Sequence, residues 1–146
     1  IWFLYRRHGF ESAEIVDRRV VFDDTDHAID LTIDVVEGPR SIVARIDFEG
    51  FDPLLAIPEL RTRVGEAYNP FDTQEDAATL AAAVTSRGFP QAEVRTDSSG
   101  VRTGTVVETT IRFVAEPGPF REIGPIVVQN NLITQDRVIE RELPFQ

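Results

Sequence analysis

The chain has 146 residues, a net charge of −10, 42% hydrophobic and 27% charged residues, and no cysteine. This is globular composition, not that of a disordered tail, and it excludes disulfides, thiolate metal sites and cysteine nucleophiles. The acidic balance disfavours nucleic acid and anionic lipid, which attract basic surfaces, and no apolar run approaches the roughly 18 residues that span a bilayer.

Ile1 to His8 reads as the last turns of a helix, with basic residues where the helix dipole favours them and Gly9 just past the end. Ala13 to Phe22 is rich in Ile, Val and Phe and reads as a strand, and Asp23-Asp24-Thr25-Asp26 as a turn. From Ala28 the alternation is strict: Ile29, Leu31, Ile33 and Val35 face one way, Asp30, Thr32 and Asp34 the other. The two strands form an antiparallel hairpin. Glu37-Gly38-Pro39 breaks the ladder, and a strand resumes at Ile42 with Ile42, Ala44, Ile46 and Phe48 expected on one face.

Two helices are expected next. Leu54 to Val64 has apolar residues at helical spacing and Gly65 as a stop, although Pro58 marks a first turn or a kink. The second opens with Asn69 as cap and Pro70 at the first helical position, and closes at Arg87-Gly88. Its apolar stripe is Phe71, Ala77, Leu80, Ala81 and Val84. Strands follow near Ala92–Val101 and Val106–Ala115; in the latter Val107, Thr109, Ile111, Phe113 and Ala115 share a face. Ile126-Val127-Val128 reads as a further strand, and Thr134 caps a helix running to Leu143.

These elements repeat. Gly9-Phe10-Glu11-Ser12-Ala13-Glu14-Ile15 returns as Gly88-Phe89-Pro90-Gln91-Ala92-Glu93-Val94, an offset of 79. Ile46-Asp47-Phe48-Glu49-Gly50 returns at Ile126 to Asn130, an offset of 80. The period is that of a small domain, not a thin solenoid turn. The expected organisation is the C-terminal part of one unit over 1–39, a complete unit over 40–118 and the N-terminal part of another over 119–146. The fold class is α+β: tandem units, each strand–helix–helix–strand–strand, with a three-stranded mixed sheet covered by two helices on one face. The absence of Met suits a stretch internal to a longer precursor.

Catalytic chemistry is not indicated. His8 sits at a helix end, where a cation is favourable. His27 beside the Asp23–Asp26 turn could help hold a cation, yet one repeat later Arg102-Thr103-Gly104-Thr105 offers no ligands, so the bland reading is a solvated turn. There is no phosphate loop, nucleophile elbow or metalloprotease helix. Neither enzymatic activity nor a cofactor is expected.

The order of elements, the Gly9-Phe10 and Gly88-Phe89 helix endings, the acidic-Gly-Pro junction at 37–39 and the strand ending Phe48-Glu49-Gly50 resemble the POTRA (polypeptide-transport-associated) domain. So does Ile126 to Leu143, with Asn130, Thr134, Val138-Ile139, Arg141 and Glu142-Leu143, which is similar to the opening of a unit in BamA-type outer-membrane assembly proteins. The resemblance implies a periplasmic array ahead of a membrane β-barrel, which receives unfolded outer-membrane polypeptides and docks accessory lipoproteins. Membrane contact would run only through a barrel outside this segment. A two-partner secretion or plastid-import array is the alternative within the family. A cell-wall enzyme module and a purely structural spacer are the alternatives outside it.

In POTRA-like sheets the first strand of the hairpin lies at an edge. That edge is the expected peptide site, at Ala92, Glu93, Val94, Arg95, Thr96 and Asp97, where an extended client adds a strand through backbone hydrogen bonds. The competing reading is that Glu93, Arg95 and Asp97 discourage edge pairing. Finally, 123–143 of one molecule is expected to be able to complete 1–39 of another, head to tail.

Overall fold

The structure is a computed structural model that describes residues 1–23, 28–122 and 124. Its elements are α1 (Trp2–Arg7), β1 (Glu14–Asp23), β2 (Ala28–Val36), β3 (Arg40–Glu49), α2 (Pro70–Thr85), β4 (Glu93–Thr103) and β5 (Val106–Glu116). β1 and β2 make a two-stranded antiparallel sheet; the other sheet has the order β3-β5-β4. β5 is central, parallel to β3 and antiparallel to β4, so this is the expected three-stranded mixed sheet. The third strand segment and its helix at 126–143, and His27 with most of its turn, lie outside the described residues.

The core is one cluster of Val43, Tyr68, Ala77, Leu80, Ile111 and Phe113, with Ile46, Phe51, Leu60 and Val94 packed against it. On β5 the expected face is the buried one: Thr109, Ile111, Phe113 and Ala115 are all buried. α2 forms as expected. Asn69 Oδ1 accepts from the Phe71 N–H at 3.1 Å, Asn69 Nδ2 donates to Asp72 at 2.6 Å, and Pro70 fills the first turn, where its missing N–H does no harm. Of its expected stripe, Ala77, Leu80 and Val84 are buried; Thr73 and Asp76 are buried beside them.

Two expectations are corrected. The first concerns β3. Ser41 pairs with Val107 and Val43 with Thr109, but Arg45 pairs with Thr110, so Ala44 is a bulged residue. A bulge inserts one residue and reverses the in–out parity beyond it. Before Ala44 the odd residues Ser41 and Val43 are buried; after it Ile46 and Phe48 lie opposite Ile111 and Phe113. Ile42 and Ala44 therefore do not share the face of Ile46 and Phe48. Phe48 stacks on Phe113 with ring centroids 5.7 Å apart.

The second concerns Leu54 to Val64, which is not a helix. Between β3 and β4 there is thus one α-helix and an irregular segment where two helices were expected. Pro58 has no N–H to give to the Leu54 carbonyl, and on either side of it too few residues remain to nucleate a helix. The donors and acceptors go elsewhere. The Leu54 carbonyl accepts from Arg87 Nη1 at 3.2 Å, and the Leu54 N–H donates to Asp52 Oδ1 at 2.8 Å. The Arg61 and Thr62 N–H groups donate to Asp76 Oδ1 and Oδ2 at 2.8 and 2.9 Å. Both ends of the segment are therefore tied to α2 or its terminus.

The repeat is visible atom by atom at two glycines. The Ser41 N–H donates to the Gly9 carbonyl at 2.7 Å, and one repeat later the Arg121 N–H donates to the Gly88 carbonyl at 2.8 Å. Gly9 and Gly88 have φ of +88° and +95°, a region where L side chains are strained. A Cβ on Gly9 would also stand 2.5 Å from the Ser41 carbonyl oxygen. Gly9→Ala is expected to destabilise the fold by about 1–3 kcal/mol. A thermal melt checks this, and an unchanged midpoint would show that the joint yields without penalty.

Candidate functional site

The three-stranded sheet has two edges, and they differ. The outer side of β3 is occupied over its first half. There Ser41 donates to Gly9, the Val43 N–H donates to the Glu66 carbonyl at 2.9 Å, and the Gly65 and Tyr68 N–H groups donate to the Val43 and Ser41 carbonyls at 2.7 and 3.0 Å. The segment Gly65–Tyr68, itself positioned by the Asp76 clamp on Arg61 and Thr62, acts as a short cover over that edge. β4 has no such cover. Among the described residues it pairs with β5 alone, over all of Glu93–Thr103, and every residue of the strand except Val94 is exposed.

Register with β5 sorts the expected site residues. Val94 and Thr96 lie opposite Ala115 and Phe113, on the face that packs against α2; Val94 joins the core there. Glu93, Arg95 and Asp97 lie opposite Glu116, Val114 and Arg112, on the other face. Ala92 stands just before the strand, and its N–H is taken by the Phe89 carbonyl at 3.0 Å. Arg95 Nη2 forms an ion pair with Glu116 Oε1, which draws its side chain over the sheet toward β5 and away from the free edge. Both groups are largely exposed, so this pair contributes little to stability.

An open, polar cleft of about 600 Å³ lies at the start of the strand, lined by Pro90, Gln91, Ala92, Glu93, Glu116 and Gly118. Beyond the expected residues the edge continues through Ser98, Ser99 and Gly100 to Thr103. Gly100 has its own cause: a Cβ there would stand 2.6 Å from Val107 Cγ1. The expected strand near Ala92–Val101 already takes in Ser98 to Val101, and the pairing with β5 carries it on to Thr103; only the expected site residues stop at Asp97. Chemically the arrangement offers backbone. In an antiparallel edge strand every second residue turns its N–H and C=O outward, in the plane of the sheet, while side chains stand perpendicular to it. Among the described residues no three metal-ligating side chains group together, and no helix is long and apolar enough to cross a membrane.

No family model matches the chain, and no curated protein matches it. Solved structures do. Haemophilus influenzae BamA POTRA3-5 is 22% identical with a TM-score of 0.51, over 98% of this chain and 57% of that one. BamA from Haemophilus ducreyi lacking POTRA domains 1-3 is 22% identical with a TM-score of 0.50, over 80% of this chain and 21% of that one. The chain thus spans little more than half of the first and about a fifth of the second. With its mixed β3-β5-β4 sheet and its repeated glycine joints, the chain has the fold of POTRA domains.

Proposed function

We propose that the chain is a periplasmic POTRA segment of an outer-membrane β-barrel assembly protein, with part of one unit at 1–39, a complete unit at 40–118 and part of another at 119–146. It scaffolds unfolded outer-membrane polypeptides and binds them transiently by strand addition along β4. Accessory lipoproteins dock on the same array. The observation that carries this reading is the asymmetry of the sheet edges: β3 is covered over Ser41–Val43, whereas β4 is open along its whole length among the described residues.

The charges on β4 do not oppose it. Glu93, Arg95 and Asp97 share one face of the sheet, and Arg95 is engaged with Glu116. None of them needs to lie in the plane where an incoming strand makes its hydrogen bonds. Backbone hydrogen bonds are indifferent to client sequence, which suits a receptor for many unfolded chains. With few side-chain pockets along the edge, binding is weak and quickly reversible. Titration of the ¹⁵N-labelled chain with unfolded barrel-strand peptides tests this. The largest amide shifts are expected over Glu93–Thr103, with little change in Arg40–Glu49. Shifts confined to β3 or to the loops would reject strand addition at β4.

A further inference from the structure

Two rows of side chains flank the open backbone of β4, and over its first half only one of them carries charge. Val94, Thr96, Ser98 and Gly100 lie opposite Ala115, Phe113, Ile111 and Thr109, the buried face of β5. Glu93, Arg95 and Asp97 lie opposite Glu116, Val114 and Arg112, on the other face. The arginines of that second face are already engaged within the sheet. Arg45 pairs with Asp47 at 2.7 Å, Arg95 with Glu116, and Arg112 Nε stands 4.0 Å from Glu49 Oε2. Arg95 is thereby drawn from β4 toward β5, and Arg112 from β5 toward β3, both inward from the β4 edge. Glu93 and Asp97 have no ion-pair partner among the described residues. The row beside the open edge thus presents an acid, a neutralised arginine and an acid, the two acids about 13 Å apart along the strand.

We propose that Glu93 and Asp97 select the client by charge: β4 prefers a strand that carries basic side chains at two positions four residues apart on its polar face. This rests on strand addition at β4 and adds a selectivity to it. Backbone hydrogen bonds admit any sequence, and the polar row then ranks the sequences admitted. An added strand runs about 4.8 Å from β4, and side chains facing each other across the pair have Cβ atoms about 5 Å apart. A lysine or arginine of the client reaches a carboxylate over that distance. Opposite charges facing each other on neighbouring strands favour pairing and like charges oppose it.

Glu116 is a positioning residue in this scheme. It holds and neutralises Arg95, the one positive charge in the row, so that a basic client meets attraction at Glu93 and Asp97 without repulsion between them. The selectivity is modest, because every group in the row is exposed and water screens each pair. The inner row, uncharged from Val94 to Gly100, adds no preference for charge.

Three peptides test the proposal. They share one alternating barrel-strand pattern, and their polar positions are all Lys, all Ser or all Glu. Each is titrated into the ¹⁵N-labelled full chain at low salt, with the amides of Glu93–Thr103 as the readout. The Lys peptide is expected to bind about fivefold more tightly than the Ser peptide, and the Glu peptide more weakly than either. Salt at about 0.5 M should erase the differences and leave the Ser peptide bound. Glu93→Gln with Asp97→Asn should bring the Lys and Ser peptides to equal affinity. Asp30→Asn with Asp34→Asn removes the same two charges from β2 and should keep the order, which separates the row from the overall charge of −10. Glu116→Gln should reduce the Lys preference, and adding Arg95→Gln should restore it. If the β4 pair of substitutions left the order intact, or the β2 pair abolished it, the proposal would be overturned. Equal binding of all three peptides at β4 of the unaltered chain would overturn the selectivity and leave strand addition standing. A Ser peptide that moved no β4 amide would overturn both.

Discussion

Asp76→Ala is expected to destabilise the fold by about 3 kcal/mol, the largest effect of any polar substitution. Asp76 is 2% exposed, and its two oxygens accept the Arg61 and Thr62 N–H groups. Alanine would leave two backbone donors without partners in a region that water reaches poorly, and each such orphan costs about 1–3 kcal/mol. In a unit of this size the thermal midpoint should fall by more than about 10 °C. The loss also spreads. Arg61 and Thr62 lead into Gly65–Tyr68, which covers the edge of β3, so their amides and those of Ser41 and Val43 should exchange faster with solvent. Asp76→Asn keeps one acceptor and should lose less. An alanine variant within about 1 kcal/mol of the parent would show that the segment holds its path without the clamp.

Phe113→Ala is expected to cost about 3–5 kcal/mol. Phe113 has no exposed surface, sits on the central strand, and stacks on Phe48, which in turn meets Phe51 edge-on at 5.8 Å. Truncation would leave a cavity bounded by β3, β4 and the core cluster, and neighbours that are themselves strand residues cannot collapse into it. Chemical denaturation should show a lower midpoint with little change in slope. Phe113→Leu, which fills most of the volume, should recover much of the difference. If alanine and leucine were equally tolerated, Phe113 would not be the centre of this core.

Much of this fold is legible in the amino-acid order because β5 and the capped start of α2 state their environments locally. Thr109, Ile111, Phe113 and Ala115 alternate without interruption, and Asn69-Pro70 marks a helix start by hydrogen-bond chemistry alone. The bulge at Ala44 was not legible: Ile42, Ala44 and Ile46 alternate equally well without it, and it takes the pairing with β5 to show the extra residue. Leu54 to Val64 misled for a related reason. Its apolar spacing is helical, but Pro58 removes the one donor the helix needs, and the partners that replace it, Asp76 and Arg87, lie far along the chain. Asp76 did leave a signal: unlike Glu75 it stands four residues before Leu80, in line with the apolar stripe of the helix. At the candidate site, the placement of the strand after Gly88-Phe89 was legible, as was the charge alternation at Glu93, Arg95 and Asp97. The cover over β3, which leaves β4 as the open edge, depends on tertiary hydrogen bonds that no local pattern encodes.

Hydrogen exchange read residue by residue, with and without a barrel-strand peptide, tests strand addition at β4 most directly. A strand added to an edge takes up the outward-facing amides and leaves the others as they were. Slowing at every second amide between Glu93 and Thr103, with no change in β3, is the result the account predicts. Uniform protection along β4, or protection elsewhere with β4 unaltered, would contradict it.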